Sequence, residues 1–405
     1  MKGWCIWILQ KSKSLGTADK LSFLKTSTKA VQLGVGQDLT GALSIPIYQT
    51  ATFRHPCFGE STGYDYSRSG NPTRRVLETG IARLDGGAGG FAYASGMAAL
   101  TNLLLLFKRG DHLIVTEDLY GGTFRLLDKI FSQYGLAAAF VDTSDPELVA
   151  LAIKDETKAI LLETPTNPLL KVADIGKISA MAREKGLLTI VDNTFMTPYL
   201  QRPLSMGADL VVYSATKFLA GHNDVVAGLI VAKSEELAER LYFLQNSVGA
   251  VLGPQDSWLV IRGMKTLGVR LDRQTENAQT IAGWLAGHKA VRRVFYPGLE
   301  THPGHLLLKE QAGGFGAVVS FELLDKSAAE QILNKVKLIS FAESLGGVET
   351  LITFPAYQTH ADIDPLERER LGINDRLLRL SVGIEDVDDL LADLEQALIG
   401  EEVYV

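Results

Sequence analysis

The chain has 405 residues, 46% of them hydrophobic and 21% charged, with a formal net charge of −7 and an isoelectric point near 5.6. That is long for one domain and enough to bury one large core and one smaller one, so two domains are expected. Lysines and arginines scattered among acids argue against a nucleic-acid surface. The only cysteines, Cys5 and Cys57, exclude a disulfide framework or a thiolate metal cage and fit a reducing compartment, by default the cytoplasm.

Residues 4–9, Trp-Cys-Ile-Trp-Ile-Leu, form an apolar patch followed by Lys11 and Lys13. Six apolar residues fall short of a signal sequence and far short of a membrane span. Residues 1 to about 36 are therefore expected to be an extension with little role in catalysis. Gly86-Gly87-Ala88-Gly89-Gly90 lacks both the GxGxxG order and a following GK[ST], and predicts a turn.

From residue 95 to about 232 amphipathic stretches alternate with short apolar runs at 114–115, 140–141, 158–163, 187–192, 208–213 and 225–232. The alternation predicts a doubly wound parallel sheet with helices on both faces, its strands buried on both sides. Strand ends in such a sheet open into one crevice, and several chemistry-bearing residues follow them. Ala94-Ser95-Gly96-Met97-Ala98-Ala99 opens an apolar helix whose first amides can cradle an anion; alone, it also fits a serine N-cap with a packing glycine. Tyr120 follows the first run and can stack on a ligand or shuttle a proton, or be an ordinary buried tyrosine. Asn167, held between prolines in Thr164-Pro-Thr-Asn-Pro168, can donate to a ligand hydroxyl or carboxylate.

Run 187–192 ends on Asp192, and run 208–213 delivers Ser214-Ala215-Thr216-Lys217. A lysine between two hydroxyls at the end of a buried strand is placed to form an imine, and an aspartate on a neighbouring strand can hold a protonated pyridine nitrogen. Together they are the signature of pyridoxal phosphate, with Ser214 and Thr216 offering hydroxyls to its phosphate.

After a helical link at about 254–288 the pattern changes to runs at 291–296, 317–323 and 377–382 with helices between, predicting a smaller α+β domain. His302-Pro-Gly-His305 has metal-like spacing, but proline and glycine break the helix that would align the rings, so no metal site is expected. In Arg376-Leu-Leu-Arg-Leu-Ser381, alternation puts Leu377, Arg379 and Ser381 on one face. Arg379, among apolar neighbours, suits an α-carboxylate or a buried ion pair.

These motifs resemble the Cys/Met metabolism family of PLP-dependent enzymes, from about residue 40 to 398. They include Tyr64-Asp-Tyr-Ser-Arg-Ser-Gly-Asn-Pro-Thr73, Asp118-Leu-Tyr-Gly-Gly122, Val191-Asp-Asn-Thr194, Glu343-Ser-Leu-Gly-Gly-Val-Glu349 and Arg379-Leu-Ser-Val-Gly-Ile-Glu385. The resemblance implies the aspartate aminotransferase-like fold of PLP-dependent transferases: an extension and inter-subunit arm at 1–60, a cofactor-binding α/β domain at 61–255, and an α+β domain at 256–405. It implies that Lys217 carries the cofactor and moves the Cα proton, with Tyr120 taking part in proton transfer. Gly96, Met97, Asn167 and Asp192 would also hold the cofactor. Tyr66 and Arg68 would reach the phosphate of a neighbouring subunit in a homotetramer built as a dimer of dimers. Ser344, beside Leu345, would hold the substrate carboxylate with Arg379 and Asn167, and Asp65 and Glu343 would meet a distal ammonium. The implied activity is transsulfuration on cystathionine, first as a γ-synthase joining an O-acylhomoserine to cysteine, then as a γ-lyase, β-lyase or methionine γ-lyase. A non-catalytic PLP-binding protein and an aminotransferase are the other classes considered.

Overall fold

The computed structural model describes residues 24–398 apart from 326, 327 and 362; the apolar patch at 4–9 lies outside them. Helix Thr26–Val31 buries Ala30, and Leu33 just beyond it is also buried in the main core with Val76, Leu77 and Ile81. Residues 26–33 are thus part of the folded body. The expectation of an extension to about residue 36 is corrected, because two buried residues one turn apart, Ala30 and Leu33, are too few to register as a periodic stripe.

The large sheet has seven strands: β1 (Gly89–Tyr93), β2 (His112–Thr116), β3 (Ala137–Val141), β4 (Thr157–Glu163), β5 (Leu188–Asp192), β6 (Leu210–Ser214) and β7 (Gly228–Ala232), in the order β1-β7-β6-β5-β4-β2-β3. Strands β2 to β6 are mutually parallel, as their unrelieved apolar runs predict. β7, however, runs antiparallel to both of its neighbours. A strand buried on both faces carries no directional signal in its sequence, so the reversal of β7 within the doubly wound sheet leaves no mark in its apolar run.

The predicted glycine turn is also shorter than expected. Gly86, with φ +77°, ends helix Pro72–Asp85, and β1 already begins at Gly89.

β7 has a direct consequence for the site. Gly228 pairs with Tyr93 of β1 on one side and Ser214 of β6 on the other. The two strand ends therefore lie close together, and helix Gly96–Leu104 starts beside Ser214. The approach is tight enough that a Cβ on Gly228 would fall 2.1 Å from the Ser95 carbonyl oxygen.

The smaller sheet comprises β8 (Val291–Phe295), β9 (Val318–Leu323), β10 (Ser340–Phe341), β11 (Leu351–Thr353) and β12 (Leu377–Ser381), in the order β10-β11-β12-β9-β8. β10 and β11 were not foreseen, being only two and three residues long. Helix Leu267–Gly287 packs on β8 and β9 and also meets helix Val387–Leu398. In register, Thr353, Arg379 and Ser320 lie side by side. Ser320 Oγ donates to the Pro168 carbonyl over 2.7 Å, so this row faces the large-sheet domain. His305 binds the Pro297 carbonyl at 2.8 Å and stacks on Phe315. Among the described residues no helix is long and apolar enough to cross a membrane.

Candidate active site

A cavity of about 300 Å³ opens where β4, β5 and β6 end, against the start of helix Gly96–Leu104 and loops of the smaller domain. The predicted Gly96, Met97, Tyr120, Asn167, Asp192, Ser214, Thr216 and Lys217 line it, joined by Glu343, Ser344 and Arg379 from the smaller domain.

One end of the cavity is rich in donors. Ser95 caps the helix by accepting from the Ala98 amide at 3.0 Å, whereas the amides of Gly96 and Met97, in the first turn, have no acceptor within the helix. The Ser214 amide donates to Thr194 Oγ1 at 2.9 Å, which leaves the Ser214 hydroxyl beside Gly96. The Thr216 hydroxyl is tied to the backbone of Ala227 by contacts of 3.2 and 3.0 Å.

The floor carries two carboxylates. Asp192 and Glu163 are register partners at the ends of β5 and β4. Asp192 Oδ1 accepts from the Thr194 amide at 3.0 Å and its hydroxyl at 2.5 Å, leaving Oδ2 for another partner. Burial raises the Asp192 carboxyl, opposed by its bonds to Thr194. Burial and the adjacent Asp192 charge raise Glu163 well above the usual range. Glu163 closes the apolar run at 158–163 and is not among the site residues that the sequence singles out. It accepts from the Tyr120 amide at 3.1 Å and the Asn167 amide at 3.0 Å, so one side chain holds both loops.

Lys217 Nζ donates to Ser344 Oγ at 2.8 Å. Its pKa is lowered to about 8, chiefly by burial and then by the Arg379 charge, against an upward pull from Glu343. Near neutral pH the amine thus loses its proton far more readily than a surface lysine. Arg379, fully buried, donates through Nη1 to Asn167 Oδ1 at 2.7 Å and through Nη2 to the Ser344 carbonyl at 2.9 Å and Thr353 Oγ1 at 3.1 Å. Its Nε is buried without a partner. Burial lowers its pKa to about 10, so it stays cationic at neutral pH. Because Asn167 spends its oxygen on Arg379, its amide NH₂ is left to donate.

Two further residues, neither singled out for the site by the sequence, hold its members in place. Thr194 positions Asp192 from two residues away. His360, fully buried, contacts the Asn167 carbonyl through Nε2 at 3.1 Å from 193 residues away. Burial lowers its pKa to about 4, which keeps the ring neutral and leaves one nitrogen to donate to that carbonyl.

Three predicted residues lie outside the cavity. Arg68 bonds the Asn246 carbonyl and side chain and sits over the Tyr66 ring at 5.7 Å, with Tyr66 itself exposed. Asp65 accepts from Ser61 at 2.6 Å and lies 3.5 Å from His55.

Unpartnered amides at one end, a carboxylate with a free oxygen across the floor and a readily deprotonated amine beside a buried guanidinium suit a particular kind of group. It would have a phosphate, a basic ring nitrogen and an electrophilic carbonyl, and its amino-acid substrate would present a carboxylate.

The comparisons agree with this chemistry. The description "Cys/Met metabolism PLP-dependent enzyme" matches residues 27–399, starting earlier than the motifs suggested. The chain is 54% identical to a cystathionine β-lyase of Lactococcus lactis subsp. cremoris (strain MG1363), over 92% of this chain and 98% of that one. It is 51% identical to a cystathionine γ-lyase of Bacillus subtilis (strain 168), over 93% and 99%. A solved cystathionine γ-synthase from Xanthomonas oryzae pv. oryzae, in complex with aminoacrylate and cysteine, superposes with a TM-score of 0.91 at 44% identity, covering 92% of this chain and 97% of that one. The chain belongs to the Cys/Met metabolism family of PLP-dependent enzymes, and pyridoxal phosphate is its cofactor.

Proposed function

We propose that this protein is a transsulfuration enzyme that cleaves the γ carbon–sulfur bond of cystathionine. The observation that supports cystathionine as the substrate is Glu343: an exposed carboxylate at the cavity wall with no hydrogen bond or ion pair to any described residue, near Lys217 and Arg379. Arg379, Asn167 and Ser344 would hold the α-carboxylate of the reacting amino acid. A carboxylate beyond the reacting amine suits a substrate with a second ammonium, which cystathionine carries.

The amides of Gly96 and Met97, with Ser214 and Thr216, would hold the cofactor phosphate. Asp192 would keep the ring nitrogen protonated, and Tyr120 would lie against the ring. Bound, pyridoxal phosphate supplies an electron sink for the pair left when a proton leaves the substrate α-carbon. Lys217, released from its covalent link to the cofactor, would take that proton. With a pKa near 8 it can both accept and return one. A second proton, from the β-carbon, would let the sulfur depart from the γ-carbon.

The site would be completed by another copy of the chain. Tyr66 and Arg68 lie on an arm with exposed Leu39, Leu43, Tyr48 and Phe58, an apolar surface that fits association. In that assembly Tyr66 and Arg68 would meet the partner subunit's phosphate, and Asp65 would join Glu343 near the distal ammonium.

The second reading is γ-replacement, joining cysteine to an O-acylhomoserine, which the same clamp and lysine can serve. The somewhat higher identity to proteins named as lyases favours cleavage.

Product analysis separates these readings. γ-Cleavage of cystathionine with water gives cysteine, 2-oxobutyrate and ammonia; β-cleavage gives homocysteine, pyruvate and ammonia. Rapid formation of 2-oxobutyrate supports the proposal. Pyruvate with homocysteine, or turnover only with an O-acylhomoserine and cysteine, overturns it. Glu343→Gln should raise KM for cystathionine about tenfold, the equivalent of one charged hydrogen bond.

A further inference from the structure

Arg270, on helix Leu267–Gly287, is almost fully buried, yet burial is the only influence that shifts its pKa, to about 10, and no described carboxylate pairs with it. A buried, unpaired guanidinium is costly unless its donors are all used. Here three hydrogen bonds go to backbone carbonyls and a fourth to a side-chain hydroxyl. Nη1 donates to the Phe218 carbonyl at 2.8 Å, and Nη2 to the carbonyls of Gly263 at 2.9 Å and Leu219 at 3.4 Å. Nε donates to Thr266 Oγ1 at 3.1 Å.

Phe218 and Leu219 directly follow Lys217. They lie in a tight turn closed by the Ala220 amide on the Ala215 carbonyl at 3.0 Å and the Gly221 amide on the Lys217 carbonyl at 2.8 Å. The turn leaves carbonyls without partners of their own, as a helix C-terminus does, and the arginine fork satisfies two of them.

The surroundings leave the turn little freedom. Gly221, at φ +70°, makes room for the guanidinium: a Cβ there would fall 2.0 Å from Arg270 Nη1. Gly263 and Gly346 press on it from two other sides, since a Cβ on Gly263 would meet the Ala220 carbonyl oxygen at 2.0 Å and one on Gly346 the Phe218 amide nitrogen at 2.5 Å.

We propose that Arg270 is a positioning residue for Lys217: by clamping the carbonyls of Phe218 and Leu219, it holds the lysine's turn so that Nζ is delivered beside Ser344 and over the cavity. This rests on the reading of Lys217 as the cofactor-bearing lysine. Arg270 touches neither substrate nor cofactor and acts through the backbone. A lysine in its place would keep the charge but could not span the two carbonyls as a rigid fork.

The test uses the full chain. Cofactor is removed and re-added, the covalent adduct is fixed with borohydride at intervals, and the labelled residue is identified by peptide mapping. Hydrogen exchange at 217–221 and steady-state kinetics are measured on the reloaded enzyme. Arg270→Lys should slow labelling of Lys217 and lower kcat by about tenfold or more with little change in KM, because misplacing a reacting group mainly affects the chemical step. Exchange at 217–221 should quicken. Thr266→Val, which removes the Nε acceptor together with the hydroxyl's own 3.1 Å bond to the Gly263 carbonyl, is the milder second variant and should act in the same direction should Arg270→Lys fail to fold. Labelling rate and kcat within about twofold of wild type in the folded variants would overturn the proposal, even if melting temperatures fell. Label on a residue other than Lys217 in the wild type would instead overturn the lysine assignment itself.

Discussion

The Lys217 ammonium and the Ser344 hydroxyl, 127 residues apart in the chain, meet at 2.8 Å. Ser344 adopts φ +91°, unusual for a residue with a side chain, and its carbonyl also accepts from Arg379 Nη2 at 2.9 Å. One strained residue thus links the amine proposed to move protons to the cation proposed to hold the carboxylate. The position is held in place by Arg379 and by the Gly346 amide, which donates to Ser381 Oγ at 2.7 Å. Strain of this kind persists only where its surroundings fix it.

Replacing Ser344 by alanine and by glycine should separate strain from function. Both lose the hydroxyl and should lower kcat/KM, but glycine accepts the left-handed backbone. Ser344→Gly is expected to be about 1 kcal/mol more stable than Ser344→Ala by urea unfolding.

Labelling of the cofactor-free protein with an amine-selective reagent, read at Lys217 by mass spectrometry, should titrate with a midpoint near pH 8. The folded pKa lies below the ordinary lysine value of 10.5, so between these pH values the unfolded chain binds more protons. The ammonium penalty falls away, and Lys217 makes the fold more stable as pH rises through that window. A midpoint above pH 10 would mean an amine hydrated like a surface lysine.

Asp85 behaves in the opposite way. Burial raises it from 3.8 to about 7, and its two oxygens lie 2.8 and 2.9 Å from the Tyr213 hydroxyl. The stability it contributes in its neutral form is present at low pH and lost as pH rises through 7. Asp85→Asn should match wild type near pH 4 and exceed it at pH 8 by on the order of 1–3 kcal/mol, measured by chemical unfolding at both pH values.

Subunit mixing tests whether Tyr66 and Arg68 serve another copy's site. Arg68→Ala and Lys217→Ala should each be nearly inactive and, after mixing and reassembly, should recover about a quarter of wild-type activity, the share expected if sites form between chains at random. Recovery of none would mean each site is built from a single chain.

Lys217, Asp192, Asn167 and Tyr120 stood out in the sequence because each lies at or just beyond a strand end, and a strand end is marked locally, where an apolar run stops. Arg379 was legible for a related reason: a charge inside an apolar run on β12 must have a partner. The family motifs added Glu343 and Ser344, which no local periodicity singles out.

What only the tertiary structure decided was which residues meet. The direction of β7, and hence the approach of Gly96 to Ser214, depends on pairing with two strands distant in sequence. The grip of Glu163 on the Tyr120 and Asn167 amides, and of Arg270 on the carbonyls beyond Lys217, consists of side-chain bonds to backbone. Such bonds require only a donor and acceptor within reach, leave no periodic pattern, and exist only after both domains have packed around the cavity.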